Sequence, residues 1–240
     1  MNNENYKVIF KTSILGLLYL VFVYVMYIYL NSKDFILLSE LNVTNIMTRV
    51  FQDFLLGLLI PIIILIRFSK NLNQLGFTNK NLILCLILIL IYFLFFILHS
   101  NYSLSGIYRS LFYLIVGFSE EVIIRGYFYL RIKSINRLSA VIISGLIFGA
   151  AHAILPGINA GHSAAIIGLD MLNFIGGGIV GGLIFIFCME LSGNILVAIL
   201  IHSLLDYSYK GLALVALLFT LGFLIYKNRV MIKSKLRNQQ

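Results

Sequence analysis

Six ionisable side chains stand inside apolar sequence that should exclude them. Glu120, Glu121 and Arg125 fall in one apolar run, His152 in a second, and His202 with Asp206 in a third. A charge at the centre of a membrane helix costs about 2.5–3.5 kcal/mol on insertion scales, so each of these groups needs a partner or a purpose. Glu121 and Arg125 are four residues apart, share a helix face and can pair. Glu120 is turned about 100° from Glu121 and has no partner on its own helix. His202 and Asp206 again share a face. An unpaired carboxylate with two imidazoles and a second carboxylate is a set suited to moving protons, either in acid–base catalysis or in proton-coupled transport. Taken one at a time, a membrane histidine often only hydrogen-bonds a neighbouring helix, and an acid beside an arginine often only braces one. Asp170 and Asn173, on a further run, are candidates to support the set or to join two helices. His99 and His162 fall near run ends, where interfacial water solvates them, and Arg109 can snorkel from the outer end of its run.

The elements that must position these groups follow from composition. The chain has 240 residues, 60% hydrophobic and 11% charged, with a mean hydropathy of +0.99. Soluble domains are about half apolar and about a quarter charged, so an ordinary soluble enzyme, a disordered chain and a fibrous repeat are all excluded. Cys85 and Cys188 lie inside apolar runs, which excludes a disulfide framework. Apolar runs of about 20 residues can cross a bilayer core of ~30 Å. Eight are expected: roughly 8–30, 50–68, 82–98, 106–130, 138–155, 163–189, 194–209 and 211–226. The first is too long and too rich in tyrosine for a signal peptide. The last two are separated only by Lys210 and Gly211, so a seven-span chain with one re-entrant segment is the alternative. The expected fold is therefore an all-α, polytopic membrane helix bundle. Three amino-terminal spans cover 1–105, a core carrying the ionisable groups covers 106–210, and a final span with a basic tail covers 211–240.

Loop charge orients this bundle. The net charge is +9. In the eight-span reading, thirteen Lys and Arg share one side: Lys7, Lys11, Arg67, Lys70, Lys80, Arg131, Lys133, Arg137 and the five of the tail after residue 226. Only Lys33, Arg49 and Lys210 fall on the other. Such asymmetry places both termini in the cytoplasm, and anionic lipid accounts for the basic balance without nucleic acid. Counting 1.5 Å per residue from the cytoplasmic ends puts Glu120 about 15 Å deep, His152 about 21 Å, His202 about 12 Å and Asp206 about 18 Å. Three helices can thus bring four ionisable groups to a similar middle depth. Glycines at 145 and 149, and at 176, 177, 178, 181 and 182, are small residues of the kind that let membrane helices approach closely.

The three elements Glu120-Glu121-x-x-x-Arg125, Phe148-x-x-x-His152 and His202-x-x-x-Asp206, each on its own expected helix, resemble the CPBP family of intramembrane proteases. That family joins CAAX prenyl endopeptidases with bacterial bacteriocin-processing and self-immunity proteins. The resemblance covers roughly 106–210 and implies endoproteolysis in or at the face of the membrane. It assigns Glu120 as the base that activates water, helped by His152, and His202 with Asp206 as the stabilisers of the oxyanion. The Glu121–Arg125 pair then braces the helix and Phe148 opens the second motif, while Asn173 is a supporting candidate by its own position only. Where this chain has Asp206 the family often has Asn. An ionised carboxylate has no hydrogen to donate to an oxyanion, so Asp206 either carries its own proton or accepts from His202 and orients it.

Zinc is one implied cofactor, because two histidines and a carboxylate (His152, His202, and Asp206 or Glu120) can hold it with one position open. The helix-borne His-Glu-x-x-His signature is absent, and a metal-free glutamate mechanism fits equally. The richness in Ile, Leu, Asn and Lys resembles the product of an AT-rich bacterial genome. The expected setting is a bacterial cytoplasmic membrane, with a peptide or membrane protein as substrate. Two other classes stay open: a non-catalytic immunity or scaffold protein of the same fold, and an ion-coupled transporter, which would more often show an internal repeat not visible here.

Overall fold

The computed structural model describes residues 3–237, with side chains to Arg229, and contains eight helices and no strand among them. They are α1 (Asn3–Asn31), α2 (Ile46–Arg67), α3 (Leu82–His99), α4 (104–133), α5 (Arg137–Asn159), α6 (Ala164–Ser192), α7 (Ile195–Asp206) and α8 (Leu212–Arg237). Every expected run is thus a helix. Six of them, α1, α2, α3, α5, α6 and α8, are long and apolar enough to cross a membrane. The protein is a multi-pass membrane protein. Of the other two, α4 has the length but carries the cluster of charges, and α7 has only 12 residues, a length of about 18 Å. Helices α7 and α8 are separate elements, parted by a turn in which Lys210 and Gly211 both take positive φ. Lys233, Lys235 and Arg237 of the basic tail lie outside the residues whose side chains are described.

Short polar residues start the inner helices. The side chains of Ser103, Asn136, Ser163 and Asn194 accept from the backbone N–H of Gly106, Ser139, Ile166 and Leu196, capping α4, α5, α6 and α7. Two helices depart from the even α-periodicity that their sequences imply. Helix α2 widens into a π-turn over Phe54–Leu58, just ahead of Pro61, whose ring would otherwise press on the Gly57 carbonyl. Helix α4 does so over Glu121–Tyr129, across the charged cluster itself. Such widened turns often fall at functional sites.

The basic loops gather at one end of the bundle. Asn194 donates to the carbonyls of Thr78 and Lys80, both at 2.9 Å, and Asn81 donates to the Ser192 carbonyl at 2.5 Å. Glu190 ties down Lys133 and Arg137, each at 2.6 Å, and accepts from the Tyr129 hydroxyl. Lys227 reaches Asn81 at 2.5 Å. The loops after α2, α4 and α6 and the far part of α8 therefore share one face, as the charge count requires. At the other end His99 stacks on Tyr207 with ring centres 4.5 Å apart.

Close packing joins α5 to α6. A Cβ on Gly149 would lie 2.5 Å from the Phe174 carbonyl, one on Gly145 2.7 Å from Ile179, and one on Gly178 inside the Gly149 backbone. Gly176, Gly177 and Gly181 differ from this expectation: a Cβ on any of them meets nothing within 4 Å. Arg49 also departs from its expected place. It is an α2 residue only 3% exposed, not a loop cation, because Asp53 one turn on pairs with it at 2.9 Å. That pairing lets α2 begin four residues earlier than hydropathy alone indicates.

Candidate active site

Helices α4, α5 and α7 supply the polar cluster, and small residues let them converge. Gly117 lies against α7, where a Cβ would be 3.0 Å from the Ile199 carbonyl. The next turn of α4 carries Glu120 and Glu121. Glu120 Oε2 is 3.5 Å from His202 Nε2 and 3.8 Å from His152 Nε2. It is buried and makes no hydrogen bond. His202 Nε2 is also 3.6 Å from Asp206 Oδ2. The four side chains assigned to one depth are thus together.

Each imidazole is oriented by its other nitrogen. His152 Nδ1 lies 2.8 Å from the Phe148 carbonyl, one turn back on α5. A carbonyl only accepts, so Nδ1 carries the hydrogen and Nε2 is turned towards Glu120. His202 Nδ1 lies 2.8 Å from Glu121 Oε1. Both His202 nitrogens therefore face carboxylates, and a doubly protonated ring satisfies both sides. The His202 ring is further fixed by stacking on Phe185, centres 4.4 Å apart and 11° from parallel.

Glu121 and Arg125 form the expected pair at 3.1 Å, both 0% exposed. The pair does more than brace α4, since the same Glu121 oxygen holds His202. The Arg125 guanidinium sits 4.3 Å from the centre of the Phe148 ring and 4.9 Å from that of Phe185. Gly182 leaves room for its tip: a Cβ there would lie 3.5 Å from Nη2. Phe148 thus has two functions, its ring over Arg125 and its carbonyl under His152.

The remaining candidates fall further out. Asn173 is exposed and lines, with His152 and Phe148, a hollow of about 300 Å³ between α5 and α6. Asp170 stands apart from the cluster and pairs with His162 at 2.8 Å. Interfacial water is therefore not the sole partner of His162. The zinc set meets an obstacle. Among the described residues no three His, Cys, Asp or Glu side chains are disposed to hold a metal ion. The two Nε2 atoms instead face one Glu120 oxygen, at 3.5 and 3.8 Å.

Glu120 and His152 open onto a cavity of about 820 Å³ that runs to the end of the bundle away from the basic loops. Two features of the site and its cavity escape a reading of motifs. One is the Arg49–Asp53 pair in its wall, whose spacing of four was the available signal. The other is Phe185, for which the sequence offers none.

A membrane bundle with a carboxylate and two imidazoles at mid-depth is a class that includes both hydrolases and transporters. The family comparison favours the first: residues 105–208 match the Rce1-like family, described as type II CAAX prenyl endopeptidase Rce1-like, so this stretch of the chain is similar to that protease family. The matched stretch runs from the start of α4 to just past α7 and contains every residue of the cluster. No curated protein and no solved structure matches the chain.

Proposed function

We propose that the protein is an intramembrane endopeptidase that hydrolyses a peptide bond by glutamate-activated water. The observation that carries this is Glu120 Oε2, buried without a hydrogen bond between two oriented imidazoles at the inner end of the cavity. A water between Glu120 and His152 Nε2 can donate to the Glu120 carboxylate while the imidazole orients it. As its oxygen bonds to the carbonyl carbon, Glu120 takes the proton and the carbonyl electrons pass to oxygen. The doubly protonated His202 offers Nε2–H to that oxyanion, in the space its ring shares with Glu120 and Asp206. Asp206, at 3.6 Å from Nε2, holds the ring electrostatically and does not itself donate. Glu120 then passes its proton to the leaving nitrogen as the C–N bond breaks. The substrate on this reading is a membrane-associated peptide or protein, and the setting a bacterial cytoplasmic membrane.

The test is Glu120→Gln, which removes the base at nearly constant volume. Cleavage of a processed peptide should fall at least ~10²-fold at equal membrane abundance. Cleavage within a few-fold of the parent would sink the assignment. A cellular phenotype that survives loss of cleavage would favour a non-catalytic scaffold of the same fold.

A further inference from the structure

One face of α4 runs from the mouth of the large cavity down to Glu120. Arg109, Tyr113, Val116 and Glu120 succeed one another at steps of four, three and four, and all line the cavity. Arg109 is exposed at the mouth, its guanidinium 5.6 Å from the Tyr113 ring centre, and makes no ion pair among the described residues. On the facing wall Arg49 is 3% exposed and fixed: its Nε donates to Asp53 at 2.9 Å, Nη1 donates to the Ile36 carbonyl, and the Phe35 and Phe112 ring centres are 4.7 and 5.0 Å away. Asp53 is already shared, since Oδ2 accepts from the Tyr108 hydroxyl as well, at 2.7 Å. The mouth thus holds two guanidiniums against one carboxylate, while the inner end holds Glu120.

We infer that this mouth recognises a carboxylate carried by the peptide substrate, about five residues from the scissile bond. The inference deepens the endopeptidase reading and rests on it for the identity of the ligand as a substrate. The spacing follows from geometry: eleven residues of helix separate Arg109 from Glu120, about 16 Å at 1.5 Å each, and an extended peptide covers that in about five residues at 3.3 Å each. The chemistry follows from the fork of a guanidinium, which matches a carboxylate with two parallel hydrogen bonds. Between the two ends the wall is apolar, with Leu56, Ile115 and Val116, so the intervening peptide is expected to be apolar too. The carboxylate can be the peptide's own terminus or an Asp or Glu side chain.

Binding tests this without requiring turnover. Full-length protein carrying Glu120→Gln, in phosphatidylcholine nanodiscs, is titrated with three fluorescent twelve-residue apolar peptides. One ends in a free carboxylate, one in an amide, and one in an amide with a single internal Asp. An exposed charge pair of this kind supports a preference of up to about fivefold for a carboxylate-bearing peptide over the plain amide. Adding Arg109→Gln should bring that ratio close to one, and Arg109→Lys should restore part of it. Which acidic peptide wins identifies the source of the carboxylate. Equal binding of all three peptides, no binding of any, or a ratio indifferent to Arg109→Gln overturns the inference. So does loss of the preference when phosphatidylglycerol enters the disc, which would assign Arg109 to lipid phosphate. A clear preference in a protein whose parent form hydrolyses nothing keeps the carboxylate site at the mouth but removes the endopeptidase reading, and with it the spacing to a scissile bond.

Discussion

Replacing Glu121 by Gln exposes the cost of the buried pair. Glu121 and Arg125 are both 0% exposed, and the Glu121 oxygen that faces Arg125 Nη1 at 3.1 Å also accepts from His202 Nδ1 at 2.8 Å. The amide keeps an acceptor for His202 but leaves the guanidinium without its contacting counter-charge, with only the more distant Glu120 beside it. Breaking a buried pair from one side typically costs about 3–5 kcal/mol, a large share of the ~5–15 kcal/mol that holds a domain together. The Phe148 and Phe185 rings beside Arg125 soften this through cation–π attraction, which places the expected loss near the lower figure, ~3 kcal/mol. The double variant Glu121→Gln with Arg125→Met removes both charges at similar volume, so it should be more stable than Glu121→Gln alone. Equilibrium unfolding of all four proteins in detergent micelles closes the cycle, and a coupling of ~2 kcal/mol or more is expected. Two results refute the reasoning: Glu121→Gln as stable as the parent to within ~0.5 kcal/mol, or single losses that simply add in the double variant.

Asp206→Asn should retain substantial cleavage, because an amide can still hold the His202 ring, and activity should survive thorough chelation. A folded but inactive Asn variant that has also lost stoichiometric bound zinc would restore the metal. Gly178→Ala should sharply lower the yield of folded protein, since its methyl has no room against Gly149, whereas Gly177→Ala should leave yield unchanged; membrane abundance measured side by side is the check. For orientation, Asn101→Cys at the cavity end should react with a membrane-impermeant thiol reagent added to intact cells, and Ser134→Cys in the basic loop should react only after permeabilisation. The reverse pattern would invert the bundle.

Much of this was legible in the order of residues. Eight helices were visible because membrane helices need long apolar runs, and the meeting of Glu120, His152, His202 and Asp206 was compatible with their similar middle depth. Periodicity could not reveal the π-turn at Glu121–Tyr129, because a widened turn leaves the apolar pattern nearly intact. Arg49 was misplaced for a related reason: hydropathy treats a charge as a loop signal even when its partner Asp53 lies four residues on. The pairing of Asp170 with His162 depends on how the chain bends between α5 and α6, which no spacing encodes. Phe185 under His202 is likewise a property of packing alone.

The order in which the chain is made gives the Glu121–Arg125 pair a further significance. A helix enters the bilayer before the helices encoded after it exist, so α4 must leave the translocon without His152 or His202. Each bare charge at its centre would then cost about 2.5–3.5 kcal/mol with no neighbour to offset it. Glu121 and Arg125 lie four residues apart on one helix, so this element can neutralise two of its three central charges by itself. The residues drawn from later helices have no such need, since each arrives with a partner already in place. A helix that brings its own counter-ion can wait in the membrane for the rest of the site to be synthesised.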